Sequence, residues 1–150
     1  MPIHVSHTPL AATPEQAYDY LTIPACWHEW HAASLGTRPD TPVPLIHGAT
    51  FEEDIRTAGF RRRLQWRVIA SQRPHHWEAL AAMDDGSRVR LRYDFAADGS
   101  GTRFTRTLDY DVKPLWLRAI DAVFGRFRIR RESAAALSAL QRRFVDGTGV

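Results

Sequence analysis

The order of patterns along the chain constrains its fold most. One short strand comes first, then two short helical segments, then about six strand patterns in a row, and a long helical pattern closes the sequence. Between residues 50 and 112 the strand signal is almost unbroken, and nothing strand-like follows it. Strands adjacent in sequence pair readily as hairpins, and a sheet built this way twists and curves. A curved antiparallel sheet followed by one apolar-faced helix can wrap that helix and leave a cavity between them. The expected class is α+β, with a small molecule bound or transformed in the cavity.

Local signals place the elements. Residues 3–8 read as a strand, and Thr13-Pro14-Glu15-Gln16 then starts a helix. Thr13 can cap it, Pro14 suits its first position, and Gln16 completes a capping box. Pro24 opens a second short helix, to about His31; a strand near Ser34–Arg38 and a Pro-rich loop follow. The Ala58-Gly59 turn predicts Thr57 opposite Phe60, and hence Ile55–Arg62, Glu53–Leu64 and Phe51–Trp66. The Asp98-Gly99-Ser100-Gly101 loop predicts Ala97 opposite Thr102, hence Phe95–Phe104, Tyr93–Arg106, Leu91–Leu108 and Val89–Tyr110. Both registers put a mostly apolar row on one face and most of the charged residues on the other. At Asp84-Asp85-Gly86 a two-residue turn would bury His76, Glu78 and Leu80, whereas a three-residue turn with a glycine bulge buries Trp77, Ala79 and Ala81. The second is favoured, since it buries Trp77 and does not strand Glu78 inside. Pro114 opens the last helix, whose apolar stripe is Trp116, Ile120, Phe124, Phe127, Ala134, Leu137, Leu140 and Phe144.

Composition narrows the function classes. A chain of 150 residues with 44% hydrophobic and 25% charged residues reads as one globular domain over 1–150. No apolar run approaches the roughly 18–20 residues of a membrane span, and the first residues lack a signal-peptide pattern, so membrane insertion is not expected and a cytoplasmic location is. Cys26 is the one cysteine, which excludes an intrachain disulfide and reads as a buried small hydrophobe. The net charge of +3 invites a nucleic-acid reading. Yet Arg61, Arg63, Arg67, Arg88, Arg90, Arg92 and Arg103 fall mostly out of phase with the apolar row and among acids, as a solvated outer face does, so no nucleic acid is expected as partner.

The inward row carries polar exceptions: Glu53, Arg62, Tyr93, Arg106 and Tyr110. Charges on a core-facing row are costly unless paired or wet, so they mark either structural ion pairs or a pocket lining with a few orienting groups. Arg106 suits an anchor for a carboxylate or enolate-like oxygen, with Tyr93 as hydrogen-bond donor or proton source. Arg62, near a hairpin end, has the stronger structural reading. His28 and His31, with Cys26 and Glu29, lie at i, i+3 without a third ligand nearby, so no metal site is expected. Nucleophile signatures and phosphate-cradling loops are absent from the sequence.

Several stretches together resemble the START-like (SRPBCC) superfamily, in its bacterial polyketide cyclase/dehydrase-like branch. They are Leu10-Ala11-Ala12-Thr13-Pro14-Glu15-Gln16-Ala17-Tyr18, the tryptophans Trp27 and Trp30, Gly101-Thr102-Arg103-Phe104, and Ala135-Ala136-Leu137-Ser138-Ala139-Leu140-Gln141-Arg142. The likeness covers roughly residues 3–145. It implies a helix-grip fold, with a seven-stranded curved antiparallel sheet around the C-terminal helix. In the family's strand order Arg106 and Glu53 stand on opposite walls and flank a bound molecule. No fixed catalytic signature of the family is matched, and fold alone does not give function.

Three readings follow. In the first, the protein binds a hydrophobic aromatic, polyketide-like or lipid-like molecule. Arg106 and Tyr93 orient its polar end, Glu53 faces them, and Leu64, Trp66, Leu91, Phe104, Leu108, Tyr110, Trp116, Ile120 and Phe124 surround its body. In the second, an enzyme of cyclase/dehydratase type uses the same cavity, with Tyr93, Arg106 or Glu53 handling protons. In the third, the arginine-rich outer face binds a partner. No cofactor is implied by any of them, and oligomeric state is left open.

Overall fold

In the computed structural model the described residues are 3–57, 60–111 and 126–146. They form β1 (Ile3–Leu10), α1 (Pro14–Leu21), a 3₁₀ helix (Pro24–Glu29), β2 (Ser34–Arg38), β3 (Thr50–Thr57), β4 (Phe60–Gln72), β5 (His76–Ala82), β6 (Arg88–Asp98), β7 (Gly101–Asp111) and α2 (Arg126–Asp146). The strands make one antiparallel sheet in the order β1-β7-β6-β5-β4-β3-β2, curled into a half-barrel with the helices on its concave side.

Both predicted hairpin registers are observed, including Glu53–Leu64 and Phe51–Trp66 in one and Tyr93–Arg106 and Leu91–Leu108 in the other. At Asp84–Gly86 the three-residue turn forms. Gly86 N–H bonds to Met83 O and Met83 N–H to Ser87 O, Gly86 has φ 86°, and Trp77, Ala79 and Ala81 are buried. Register shifts in β4 at Val68/Ala70 and in β2 at Ser34/Gly36 add the local twist a curled sheet needs. The Thr13–Gln16 capping box is complete, with both reciprocal bonds made.

The Gly-Thr start of β7 has a steric cause. A side chain on Gly101 would put its Cβ 2.5 Å from the Leu10 carbonyl oxygen. Thr102 then donates to Ala12 O at 2.8 Å, stitching β7 to the chain between β1 and α1.

Other details differ from the sequence reading. The second helical segment is a 3₁₀ helix ending at Glu29. β1 runs two residues further, because Pro9 and Leu10 continue its pairing with β7. Cys26 is partly exposed rather than buried. On α2 the inward stripe is Ser133, Ala136, Leu137, Leu140 and Phe144, while Ala134 is exposed, a third of a turn out of phase. Glu78 points outward yet is only 6% exposed, because Arg90 (2.8 Å) and Arg92 (3.1 Å) fold over its carboxylate. His76, on the outward face that the three-residue turn gives it, is partly buried and bonds Asp94 at 2.8 Å. The Ala58-Gly59 turn, Pro114, Trp116, Ile120 and Phe124 lie outside the described residues.

Candidate functional site

The concave wall is built by alternation. From β3 to β7, every second residue turns inward, so Phe51, Glu53, Leu64, Trp66, Leu91, Tyr93, Phe104, Arg106 and Tyr110 are all buried. Toward α1 the hollow is filled by Trp27, carried on the 3₁₀ helix. Its ring meets Phe51, Trp66, Trp77 and Tyr93 edge-on, with centroids 5.5–6.3 Å apart. The indole N–H is satisfied by Leu21 O at 2.9 Å. At the opposite end the wall is less covered, and Ile55, Met83, Val89 and Leu108 are only partly buried.

A polar group separates these two zones. Arg106, 7% exposed, donates from Nη1 to Ser133 Oγ on α2 at 2.9 Å and from Nη2 to His31 Nε2 at 3.4 Å. Tyr93 stands opposite it in the β6–β7 register, while its buried Nε–H has no partner among the described residues. Glu53 Oε1 accepts from Trp66 Nε1 at 3.0 Å. Burial pushes the Glu53 carboxyl up from 4.5 to about 7, against the pull of Ser34, Trp66 and the positive charge of Arg106. Burial also holds the Tyr93 hydroxyl well above its ordinary range, although Arg106 pulls it down. His31 is kept neutral, lowered to about 3 by burial and then by the neighbouring Arg106 charge.

Chemically, this arrangement offers guanidinium and phenol donors facing a carboxyl that exchanges its proton near neutrality. It can hold an oxygen that bears or develops negative charge, beside an apolar wall. The curl of the sheet brings Glu53 and Arg106 into electrostatic reach across three intervening strands. Arg62, by contrast, is taken by Asp85 at 2.8 Å at the hairpin end.

A separate cavity of about 740 Å³ lies between α1, the loop around Leu45, the end of β4 and the C-terminal turn of α2. Tyr18, Tyr20, Ile23, Leu45 and Phe144 line it. Its charges are paired internally: Arg73 grips Asp19 through two bonds (2.7 and 2.9 Å), and Arg143 bonds Glu29 (3.0 Å) while lying over the Tyr20 ring. None of the residues expected to bind ligand lines this cavity.

Sequence reasoning placed Arg106, Tyr93 and Glu53 on one face but missed the two residues that hold Arg106. Ser133 was legible, as a polar residue in phase with Leu137, Leu140 and Phe144. His31 was not, since it follows a 3₁₀ helix and has no periodic signal. Among the described residues no three potential metal ligands cluster, and no helix is long and apolar enough to cross a membrane.

A family model described as polyketide cyclase/dehydrase and lipid transport matches residues 2–145. The fold is similar to that of a protein from Thermus thermophilus, 15% identical with a TM-score of 0.78, over 97% of this chain and 99% of that one. It is also similar to a START superfamily protein from Mycobacterium smegmatis, 12% identical with a TM-score of 0.69, over 95% and 98% of the two chains. A third likeness is to a protein of the dynemicin biosynthetic locus, 11% identical with a TM-score of 0.67, over 97% of this chain and 48% of that one. No curated protein shows a significant sequence match.

Proposed function

The chain belongs to the polyketide cyclase/dehydrase and lipid-transport family and has the START-like helix-grip fold, and from that premise we propose that it binds a hydrophobic small molecule against the concave wall of its sheet. The body of the ligand lies on the partly covered apolar end, against the partly buried Leu108, with Leu64 and Tyr110 buried in the same wall, and its polar end meets Arg106 and Tyr93. One observation carries this reading: a buried guanidinium, with an N–H that has no partner among the described residues, stands beside a partly covered apolar wall. Buried polar atoms are for the most part hydrogen-bonded, so an open donor on a buried cation suits a ligand oxygen. The cavity beside α1 is the weaker candidate, because its charged groups already satisfy one another. On the outer face Arg90 and Arg92 are already paired with Glu78, which favours the concave wall over the outer face.

The test is binding of N-phenyl-1-naphthylamine, a neutral apolar dye that brightens in dry sites. Leu108→Arg places charge on the apolar wall and should weaken dye binding at least tenfold, while Leu80→Arg on the outer face should not. Equal binding by the wild type and Leu108→Arg overturns the site.

A cyclase-type enzyme is the second reading, favoured by the near-neutral Glu53 carboxyl beside two oxygen-binding donors. Arg106→Met and Tyr93→Phe separate the two. Turnover should collapse with affinity little changed in an enzyme, and affinity alone should move in a carrier.

A further inference from the structure

Arg106 carries one positive charge, and Glu53 is the one acid buried on the concave face among the described residues. With Glu53 ionised, the pair is neutral and suits a neutral guest. An anionic guest at the free Nε–H of Arg106 creates a different situation, with two negative charges around one positive charge in a site of low dielectric. One of the two must then be neutralised.

The surroundings decide which group takes the proton. Facing the pair are Tyr93 from β6, Trp66 from β4, Ser34 from β2, Ser133 from α2 and His31 after the 3₁₀ helix. Tyr93 is already protonated. His31 accepts from Arg106 through Nε2, so a proton there would break that bond and place two cations side by side. Asp54, next to Glu53 on β3, points outward and is held by Arg38 and Arg63. Glu53 is left. Protonated, it keeps an oxygen for the Trp66 N–H and gains a donor toward the guest.

We propose that the site takes a hydrophobic monoanion, of carboxylate or enolate type, together with one proton that passes from solvent to Glu53. The inference rests on the reading of the concave wall as the ligand site. It names the ligand's charge and makes binding a proton-coupled event. Such a carrier or enzyme favours acidic amphiphiles below neutrality and releases them as pH rises.

The experiment compares two dyes of one scaffold: 1-anilinonaphthalene-8-sulfonate, a permanent anion, and N-phenyl-1-naphthylamine, which is neutral. Because the sulfonate stays ionised, any pH dependence belongs to the protein. With Glu53 titrating at about 7 when free, the dissociation constant of the anion should rise about thirtyfold between roughly pH 6 and pH 8.5. That of the neutral dye should stay flat, and each dye should displace the other. Glu53→Gln should flatten the anion's profile. Independently of any variant, calorimetry of the wild type near pH 8, in two buffers of different ionisation heat, should show close to one proton taken up per anion bound and none with the neutral dye. If the neutral dye binds while the anion binds without pH dependence or proton uptake, or does not bind, the inference fails and the pocket stands. If neither dye binds, the pocket reading itself fails.

Discussion

The guanidinium of Arg106 on β7 and the hydroxyl of Ser133 on α2 meet at 2.9 Å with both residues buried, 7% and 2% exposed. This bond ties the gripping sheet to the gripped helix through the same side chain that faces the candidate ligand. Ser133→Ala removes the acceptor and leaves a second buried donor on Arg106 without a partner. The expected cost is about 1–3 kcal/mol, read as a lower urea midpoint with an unchanged slope. An unchanged midpoint would show that helix docking does not depend on this bond.

The fold was legible because its information is local. Turn sequences at Asp84-Asp85-Gly86 and Asp98–Gly101 fix register, and period-two alternation then fixes which residues face inward. The pairing of Tyr93 with Arg106 follows from those signals alone. Contacts that depend on the path of a helix across the sheet were out of reach. Nothing near His31 in sequence points to β7, which lies 75 residues away. Likewise the place of Trp27 at the centre of four rings depends on how the 3₁₀ helix enters the hollow. Glu78 shows a third kind of limit. Its burial comes from two long arginine side chains folding over it, which no hydrophobic pattern encodes.

Trp27 acts as the plug that completes the core beneath the concave wall. Trp27→Ala should cost about 3–5 kcal/mol, as large-to-small core substitutions of aromatics do, and should strip much of the near-UV circular dichroism from the surrounding rings. Trp27→Phe should keep most of the packing and lose mainly the bond to Leu21 O. If Trp27→Ala and Trp27→Phe unfold at the same denaturant concentration, the ring cluster is not the centre of the core.

Gly101 cannot accept a side chain without moving the end of β1, since the neighbouring atom is a backbone carbonyl rather than a flexible tip. Gly101→Ala should therefore destabilise by about 1–3 kcal/mol. Gly48→Ala is an informative contrast, because its positive φ of 94° brings backbone strain but its Cβ would meet nothing. In the Gly101 variant, hydrogen exchange should accelerate at the β1–β7 pairing first, ahead of β4 and β5. Uniform acceleration across the sheet would contradict a local clash.

Glu53 and His31 give the stability of this protein a pH dependence that is hidden in the wild type. The Glu53 carboxyl titrates at about 7 in the folded chain against an ordinary 4.5. The folded state therefore holds this proton more tightly, and stability falls as pH rises from 4.5 to 7. His31 titrates at about 3 against an ordinary 6.5. The folded state therefore resists this proton, and stability falls as pH drops from 6.5 toward 3. Each slope is at most about 1.4 kcal/mol per pH unit. Between about 4.5 and 6.5 they have opposite signs and offset each other, so the wild type should show a plateau there. His31→Gln keeps an acceptor for Arg106 but removes one slope, and its stability should decline steadily as pH rises from 4.5 to 7. Glu53→Gln should do the reverse, climbing with pH until about 6.5 and then levelling. Urea denaturation in a buffer series reads all three profiles. Parallel curves for the wild type and both variants would mean that neither group is held away from its ordinary proton affinity, and the electrostatic account of the site would fall with them.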